Sequence, residues 1–96
     1  MIKRGGYVQY WFDTGAMGVQ PLYGIAIEAG PKVFRVLWES GATNKCRQEQ
    51  VPACFKPLER TAVCENALRR IHEEMERRNI VLDADTVAQP VQIFLP

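Results

Sequence analysis

The stretch "YGIAIEAGPKVFRVLWESG", from Tyr23 to Gly41, decides the fold prediction. Tyr23, Ile25 and Ile27 alternate with Gly24 and Ala26, which is the period of a half-buried strand. Phe34, Val36 and Trp38 alternate in the same way with Arg35 and Leu37. Gly30-Pro31 between the two runs is typical of a turn, and the glycine in "ESGA" favours a second turn. The stretch therefore predicts a β-hairpin at the centre of a sheet.

The sequence on either side of this hairpin predicts further strands. Upstream, "GYVQYWF" alternates in the same way, and "DTGAMGVQP" predicts a glycine-containing loop before the hairpin. Downstream, "TNKCR" predicts a short polar strand. "QEQVPACFKPL" predicts a turn into a last edge strand, because proline is tolerated at the edges of sheets. Four or five short strands separated by turns are typical of a small barrel.

The period changes after Leu58 and predicts a helix. Thr61 is the predicted N-cap, and Asn79 is predicted to end the helix in left-handed geometry. One apolar stripe follows helical spacing and consists of Cys64, Ala67, Leu68, Ile71 and Met75. The stripe is expected to cover the outer face of the hairpin, where Val33 and Leu37 lie opposite the core residues. The run from Val91 to Leu95 predicts a short final strand, paired with this chain or with a neighbouring one.

Composition places the chain among globular proteins and excludes several classes. The 96 residues are 47% hydrophobic and 24% charged, with a net charge of +1. No apolar run approaches the roughly 20 residues that cross a bilayer, and the N-terminus lacks the apolar segment of a signal peptide. The three cysteines are an odd number and a poor disulfide framework, which favours a reducing cytoplasm.

The order of strands and turns resembles the small SH3-like barrels of the KOW and Tudor type, including short phage and plasmid proteins of that shape. The residues that carry the resemblance are "YGIAIEAGPKVFRVLWESGATNK", within residues 5–56. It implies a five-stranded SH3-like barrel over residues 1–58. Together with the amphipathic helix and short final strand predicted above for residues 59–96, which we expect to pack on the barrel, this gives one compact domain with a mainly β fold and one helix. Barrels of this shape bind RNA, DNA, methylated peptides or other proteins.

A second resemblance covers "MIKRGGYVQYWFDTGAMGVQP", which looks like the beginning of ribonuclease toxins of the MazF type. That family carries an Arg-Pro pair whose arginine serves phosphate chemistry. This sequence has Gln20-Pro21, and an uncharged glutamine does not stabilise a developing phosphorane. The toxin activity is therefore a remote alternative.

The cysteines and the histidine do not predict a metal site or a catalytic centre. Cys46, Cys54, Cys64 and His72 follow one another at spacings of eight, ten and eight residues, with no close pair. Eight helical residues separate Cys64 from His72 by about 12 Å along the axis, which also argues against a nucleophile–base pair. We expect no cofactor and no enzymatic activity.

Aromatic and basic residues predict a binding face. Alternation assigns Val8, Tyr10, Phe12, Phe34, Val36 and Trp38 to the core. Tyr7, Trp11 and Tyr23 then lie at the rim, or else Tyr7 and Trp11 pack under the helix or against a partner subunit. Exposed aromatics beside cations are typical of single-stranded nucleic-acid sites. The predicted site consists of Tyr7, Trp11, Lys32, Arg35, Lys45 and Arg47, with Lys3 and Arg4 adding charge nearby.

Charge is distributed unevenly, because residues 1–60 carry eight Lys or Arg against five Asp or Glu, and residues 61–96 carry four against six. The sequence thus predicts a non-enzymatic binding module for RNA or DNA. The alternative is a protein-interaction regulator or inhibitor that docks on a host complex. No membrane partner is expected, and a homo-oligomer remains open.

Overall fold

A computed structural model describes residues 1–51 and 53–82. Within them it contains five strands, one α-helix and two short 3-10 turns, at Gln48–Gln50 and Arg60–Ala62. The elements are β1 (Tyr7–Asp13), β2 (Val19–Ala29), β3 (Val33–Trp38), β4 (Thr43–Arg47), β5 (Phe55–Leu58) and α1 (Glu65–Arg77). The predicted class, mainly β with one helix, is confirmed. The predicted final strand lies outside the described residues.

The five strands form one antiparallel sheet in the order β4-β3-β2-β1-β5. The central hairpin is confirmed as β2 and β3, whose register places Gly24 opposite Trp38 and contains a bulge between Ala26 and Glu28. Strands β4 and β5 are the two edges, and no ladder joins them within residues 1–51 and 53–82. The ladder is therefore open in the part of the chain that the structure describes.

The sheet is strongly curled. In a flat sheet, β3 and β5 would lie three strand spacings apart, or about 14 Å. The rings of Phe34 on β3 and Phe55 on β5 have centroids only 5.6 Å apart and meet edge to face. Trp38 stacks on Phe55 at 6.4 Å. The concave face thus brings distant strands together around an aromatic core.

Each face of the sheet buries its own apolar cluster. The concave cluster contains Ile2, Val8, Ala26, Phe34, Val36, Trp38, Cys46 and Phe55. The helix-side cluster contains Tyr7, Ile25 and Leu37 from the sheet, with Val63, Ala67, Ile71, Met75 and Leu82. A sheet that is apolar on both faces needs cover on both. The helix covers the outer face at Leu37, as the sequence predicted, but it leaves Val33 38% exposed.

The helix is shorter than its predicted range. Thr61 is not its N-cap, because residues Arg60–Ala62 form a 3-10 turn and the helix begins only after Cys64. Val63 and Cys64 are extended, with ψ near 135° and 133°, and this conformation places Val63 in the helix-side cluster. Cys64 is exposed and does not belong to the buried stripe. Asn79 has φ 56°, so the predicted left-handed end is confirmed.

The predicted glycine-containing loop after β1 is confirmed but is shorter than its predicted range, because β1 includes Asp13, β2 begins at Val19 and the loop covers only residues 14–18. β1 and β2 pair as far as Asp13 opposite Val19, and residues 11–21 form a two-stranded projection that we call the arm. Phe12 is consequently 36% exposed and not part of the core. Alternation assigned it inward, but the arm runs beyond the ends of β3 and β5, so no neighbouring strand supplies a core there.

Candidate nucleic-acid interface

The pairing of β3 with β4 brings together most of the predicted basic residues. Arg35 lies directly opposite Lys45, and Val33 lies opposite Arg47. Cross-strand partners point to the same face of an antiparallel sheet, so these side chains form one surface. Lys32 immediately precedes β3 in the turn after Gly30-Pro31. We call Lys32, Arg35, Lys45 and Arg47 the basic face.

The basic face is open to solvent and shaped by two shallow grooves that meet at Val33. A groove of about 360 Å³ is lined in part by Arg35 and Lys45, and one of about 490 Å³ by Lys32 and Arg47. The helix covers the same side of the sheet further along, where Leu37 is fully buried. The grooves thus lie where the outer face of β3 emerges from under the helix.

Two of the four cations have acidic neighbours. Arg35 Nε lies 3.6 Å from Glu28 Oε1, and Arg47 Nη1 lies 3.1 Å from Glu49 Oε2. The two arginines and their two glutamate partners all have side chains that are more than 40% exposed, so each ion pair is worth about 0–1 kcal/mol at most. Lys32 and Lys45 form no ion pair with the described residues. The arginines are therefore available to exchange a carboxylate for a phosphate.

Gln48 holds the N-terminal segment beside the basic face. Its side chain accepts a hydrogen bond from the Ile2 amide at 2.9 Å and donates to the carbonyls of Ile2 at 2.7 Å and Gly30 at 3.1 Å. Arg4 Nε donates to the Ile27 carbonyl at 3.2 Å, next to the Glu28–Arg35 pair. These contacts place Lys3 and Arg4 near the turn before β3 and extend the positive surface.

Sequence reasoning did not identify Gln48 as part of the site. It is an uncharged residue in a polar segment, and nothing in its local pattern distinguishes it from Gln50. Only the folded chain shows that its amide bridges two segments distant in sequence.

Tyr7 does not belong to this surface. It is 5% exposed and packs under the helix, which was the second of the two placements that the sequence allowed. Its hydroxyl lies 3.0 Å from His72 Nε2. Burial raises the pKa of Tyr7 despite the opposing effect of Arg60, and burial together with the Arg60 charge lowers the pKa of His72.

Trp11 is exposed, but it lies far from the basic face. It is 52% exposed on the arm, opposite Pro21 of β2, whereas Arg35 lies opposite Glu28 of the same strand. Seven residues of extended chain separate Pro21 from Glu28, or about 23 Å. Tyr23 is half-buried, and its hydroxyl accepts a long hydrogen bond of 3.4 Å from Gln9 Nε2. The structure thus joins the predicted cations to one another and separates them from the predicted aromatics.

The thiols and the remaining polar residues are dispersed. Cys46 is buried, which raises its pKa, while Cys54 and Cys64 are exposed. Within residues 1–51 and 53–82, no three His, Cys, Asp or Glu side chains are grouped as metal ligands.

Gln20-Pro21, the pair that stands in place of the Arg-Pro pair of the toxin family, lies on the arm. No helix in the described part of the chain is both long and apolar enough to span a membrane.

Comparison of the chain with protein-family models, with curated proteins and with solved structures found no significant match in any of the three. The function must therefore be argued from the geometry of this chain alone.

Proposed function

We propose that this protein is a non-enzymatic module that binds the phosphate backbone of RNA or DNA through its basic face. The observation that carries the proposal is the register of β3 and β4, which sets Arg35 beside Lys45 and Arg47 beside Val33 on one exposed surface. Exposed Lys and Arg side chains bind phosphates and release condensed counterions, a gain in free energy that does not depend on sequence.

We infer an SH3-like barrel as the framework for this surface. The strand order β4-β3-β2-β1-β5 and the contact between Phe34 and Phe55 support a sheet that curls nearly onto itself. In such a framework the basic face lies on the convex side of the β3–β4 edge. A long polyanion reaches a convex edge more easily than it reaches a closed cavity.

The proposal concerns phosphate contacts rather than base stacking. The exposed ring of Trp11 is about 23 Å from the basic face along β2, and Tyr7 is buried. Contacts to phosphates position a nucleic acid but carry no direct sequence information. We therefore expect binding with little sequence preference and with a marked dependence on salt.

Fluorescence anisotropy with labelled single- and double-stranded RNA and DNA, titrated at several salt concentrations, tests the proposal. Engagement of the four cations predicts a log–log salt slope of about −3 to −4, and the double variant R35Q/K45Q should reduce its magnitude by about 2. The matched control is K56Q. It removes an exposed cation on β5, three strands away from β3 in the sheet, and should leave the slope unchanged.

The proposal fails if no binding occurs at low salt, where electrostatic attraction is strongest. It also fails if K56Q weakens binding as much as R35Q/K45Q, because the attraction would then come from net charge and not from the basic face.

A further inference from the structure

An open cavity lies between the two edge strands of the sheet. β4 lines it with Asn44, Lys45 and Cys46, and β5 lines it with Phe55. No ladder joins these strands among the described residues, so the gap between them leads from solvent to the concave cluster. The volume is about 360 Å³, within the range of about 300–1,000 Å³ that is typical of small-ligand pockets. We call it the edge cavity.

Three aromatic side chains line the edge cavity. Trp38 and Phe55 are buried, and Tyr10 is half-buried. The ring centroid of Tyr10 lies 5.3 Å from that of Phe55 and 6.2 Å from that of Trp38, so the three rings form one continuous apolar surface. Tyr10 is the most accessible of the three and offers a planar ligand a ring for stacking. The cavity therefore favours a flat aromatic group.

Polar groups with unused hydrogen-bonding capacity surround these rings. Trp38 Nε1 donates to Asn44 Oδ1 at 2.8 Å, which fixes the Asn44 amide and leaves its nitrogen without a partner among the described residues. The Tyr10 hydroxyl and the exposed Gln50 amide also form no hydrogen bond with other described residues. Together these groups offer both donors and acceptors. The edge of a nucleobase carries both as well, so the cavity matches a base better than it matches a plain hydrocarbon ring.

Charge disfavours a cationic ligand in the edge cavity. Lys45 is the only charged residue that lines it, and no Asp or Glu lines it among the described residues. Lys45 also lines the groove beside Arg35, so the edge cavity borders the basic face. A group bound in the cavity therefore lies next to the residues proposed to bind phosphates. A base that is attached to a bound sugar–phosphate backbone satisfies both conditions.

We propose that the edge cavity binds one unpaired nucleobase of a single strand whose phosphates lie on the basic face. The inference rests on the proposed function and deepens it, because the basic face alone contacts only phosphates. A base in a duplex is paired and stacked, and it cannot enter the cavity without flipping out. Every base has a flat face that can stack on Tyr10, so the cavity selects single strands over duplexes without a strong sequence preference.

Two exposed thiols provide a matched test. Cys54 lines the edge cavity, and Cys64 lies outside it, directly before the helix. C64S and C54S each leave one exposed thiol for N-ethylmaleimide, and mass spectrometry identifies the modified residue. Alkylated Cys54 should weaken the binding of a labelled single strand about tenfold, which corresponds to the loss of about one stacked base, and leave a duplex of the same sequence unchanged. Alkylated Cys64 should change neither.

The fluorescence of Trp38 gives a second readout that does not depend on alkylation. In W11F, Trp38 is the only tryptophan, so a single strand should change its emission at low salt and a duplex should not. The inference fails if alkylated Cys54 weakens neither ligand or weakens both equally, and it also fails if both ligands affect the Trp38 emission alike. In either case, a salt slope that still depends on R35Q/K45Q keeps the proposed function, whereas absence of binding to any strand overturns both proposals.

Discussion

At the scale of single residues, the contact between Tyr7 and His72 is a polar link between β1 and the helix. The hydroxyl and the imidazole nitrogen lie 3.0 Å apart, and Tyr7 belongs to the helix-side cluster. Arg60, from the 3-10 turn, adds a positive charge, and Arg60 and Glu76 line the same pocket as His72. A half-buried imidazole beside a guanidinium is easiest to hold in its neutral form.

This environment predicts that acid destabilises the fold through His72. The folded-state pKa lies below the unfolded value of about 6.5, so the unfolded chain takes up the proton first. The stabilisation is fully present above about pH 6.5 and is lost as the pH falls toward the lower folded-state pKa. Urea unfolding of the wild type at pH 7.5 and 5.0 should show this loss, and the loss should be smaller for H72Q.

The comparison uses the change in the free energy of unfolding between pH 7.5 and pH 5.0, because H72Q also alters stability at pH 7.5. An identical pH dependence in the wild type and in H72Q would show that other groups are responsible for the acid sensitivity.

At the scale of elements, the pairing of β2 with β3 leaves no room for a side chain at Gly24. A Cβ there would lie 2.5 Å from Val36 Cγ1, 2.7 Å from Trp38 Cε3 and 2.8 Å from the Leu37 carbonyl oxygen. All three neighbours are on β3, and two of them belong to the concave cluster. The glycine therefore allows the close approach of the two central strands.

We expect G24A to reduce the free energy of unfolding by about 1–3 kcal/mol, because overpacking forces a shift in β3. The matched control is G30A in the following turn. There a Cβ would meet only the Val33 carbonyl oxygen, at 3.7 Å, and the change should stay within about 0.5 kcal/mol. Chemical denaturation of both variants measures the difference. Equal stability of G24A and wild type would contradict the close packing of β2 against β3 at Gly24.

At the scale of the whole molecule, the two apolar clusters share one sheet. β1, β2 and β3 each contribute to both, through alternate residues such as Tyr7 and Val8 on β1. Loss of either cluster leaves one face of the same strands exposed. Helix and sheet should therefore unfold together.

This coupling predicts a single cooperative transition. The chain has two tryptophans, so W11F leaves Trp38 as the fluorescent probe of the concave cluster. Circular dichroism reports the helix independently. The two signals should give coincident denaturation curves, as two-state unfolding requires. Loss of helical signal before the Trp38 transition would show that the helix docks as a separate unit.

The sequence by itself determined the period of each main element. The two-residue period on either side of Gly30-Pro31 defined β2 and β3 as a hairpin. Apolar residues at helical spacing defined the face of α1 that buries Ala67, Ile71 and Met75. It also marked the four cations of the basic face. These features are local, because side-chain direction follows directly from the backbone period.

Only the tertiary structure decided what surrounds each side chain. Alternation treats Tyr10 and Phe12 alike, yet Tyr10 contacts Phe55 and Phe12 is exposed, because the pairing of β1 with β5 does not extend past Tyr10. Tyr7 and Trp11 share a face in the same way, but the helix covers only Tyr7. Burial depends on where neighbouring strands and the helix end, and that is settled by contacts between segments far apart in the chain.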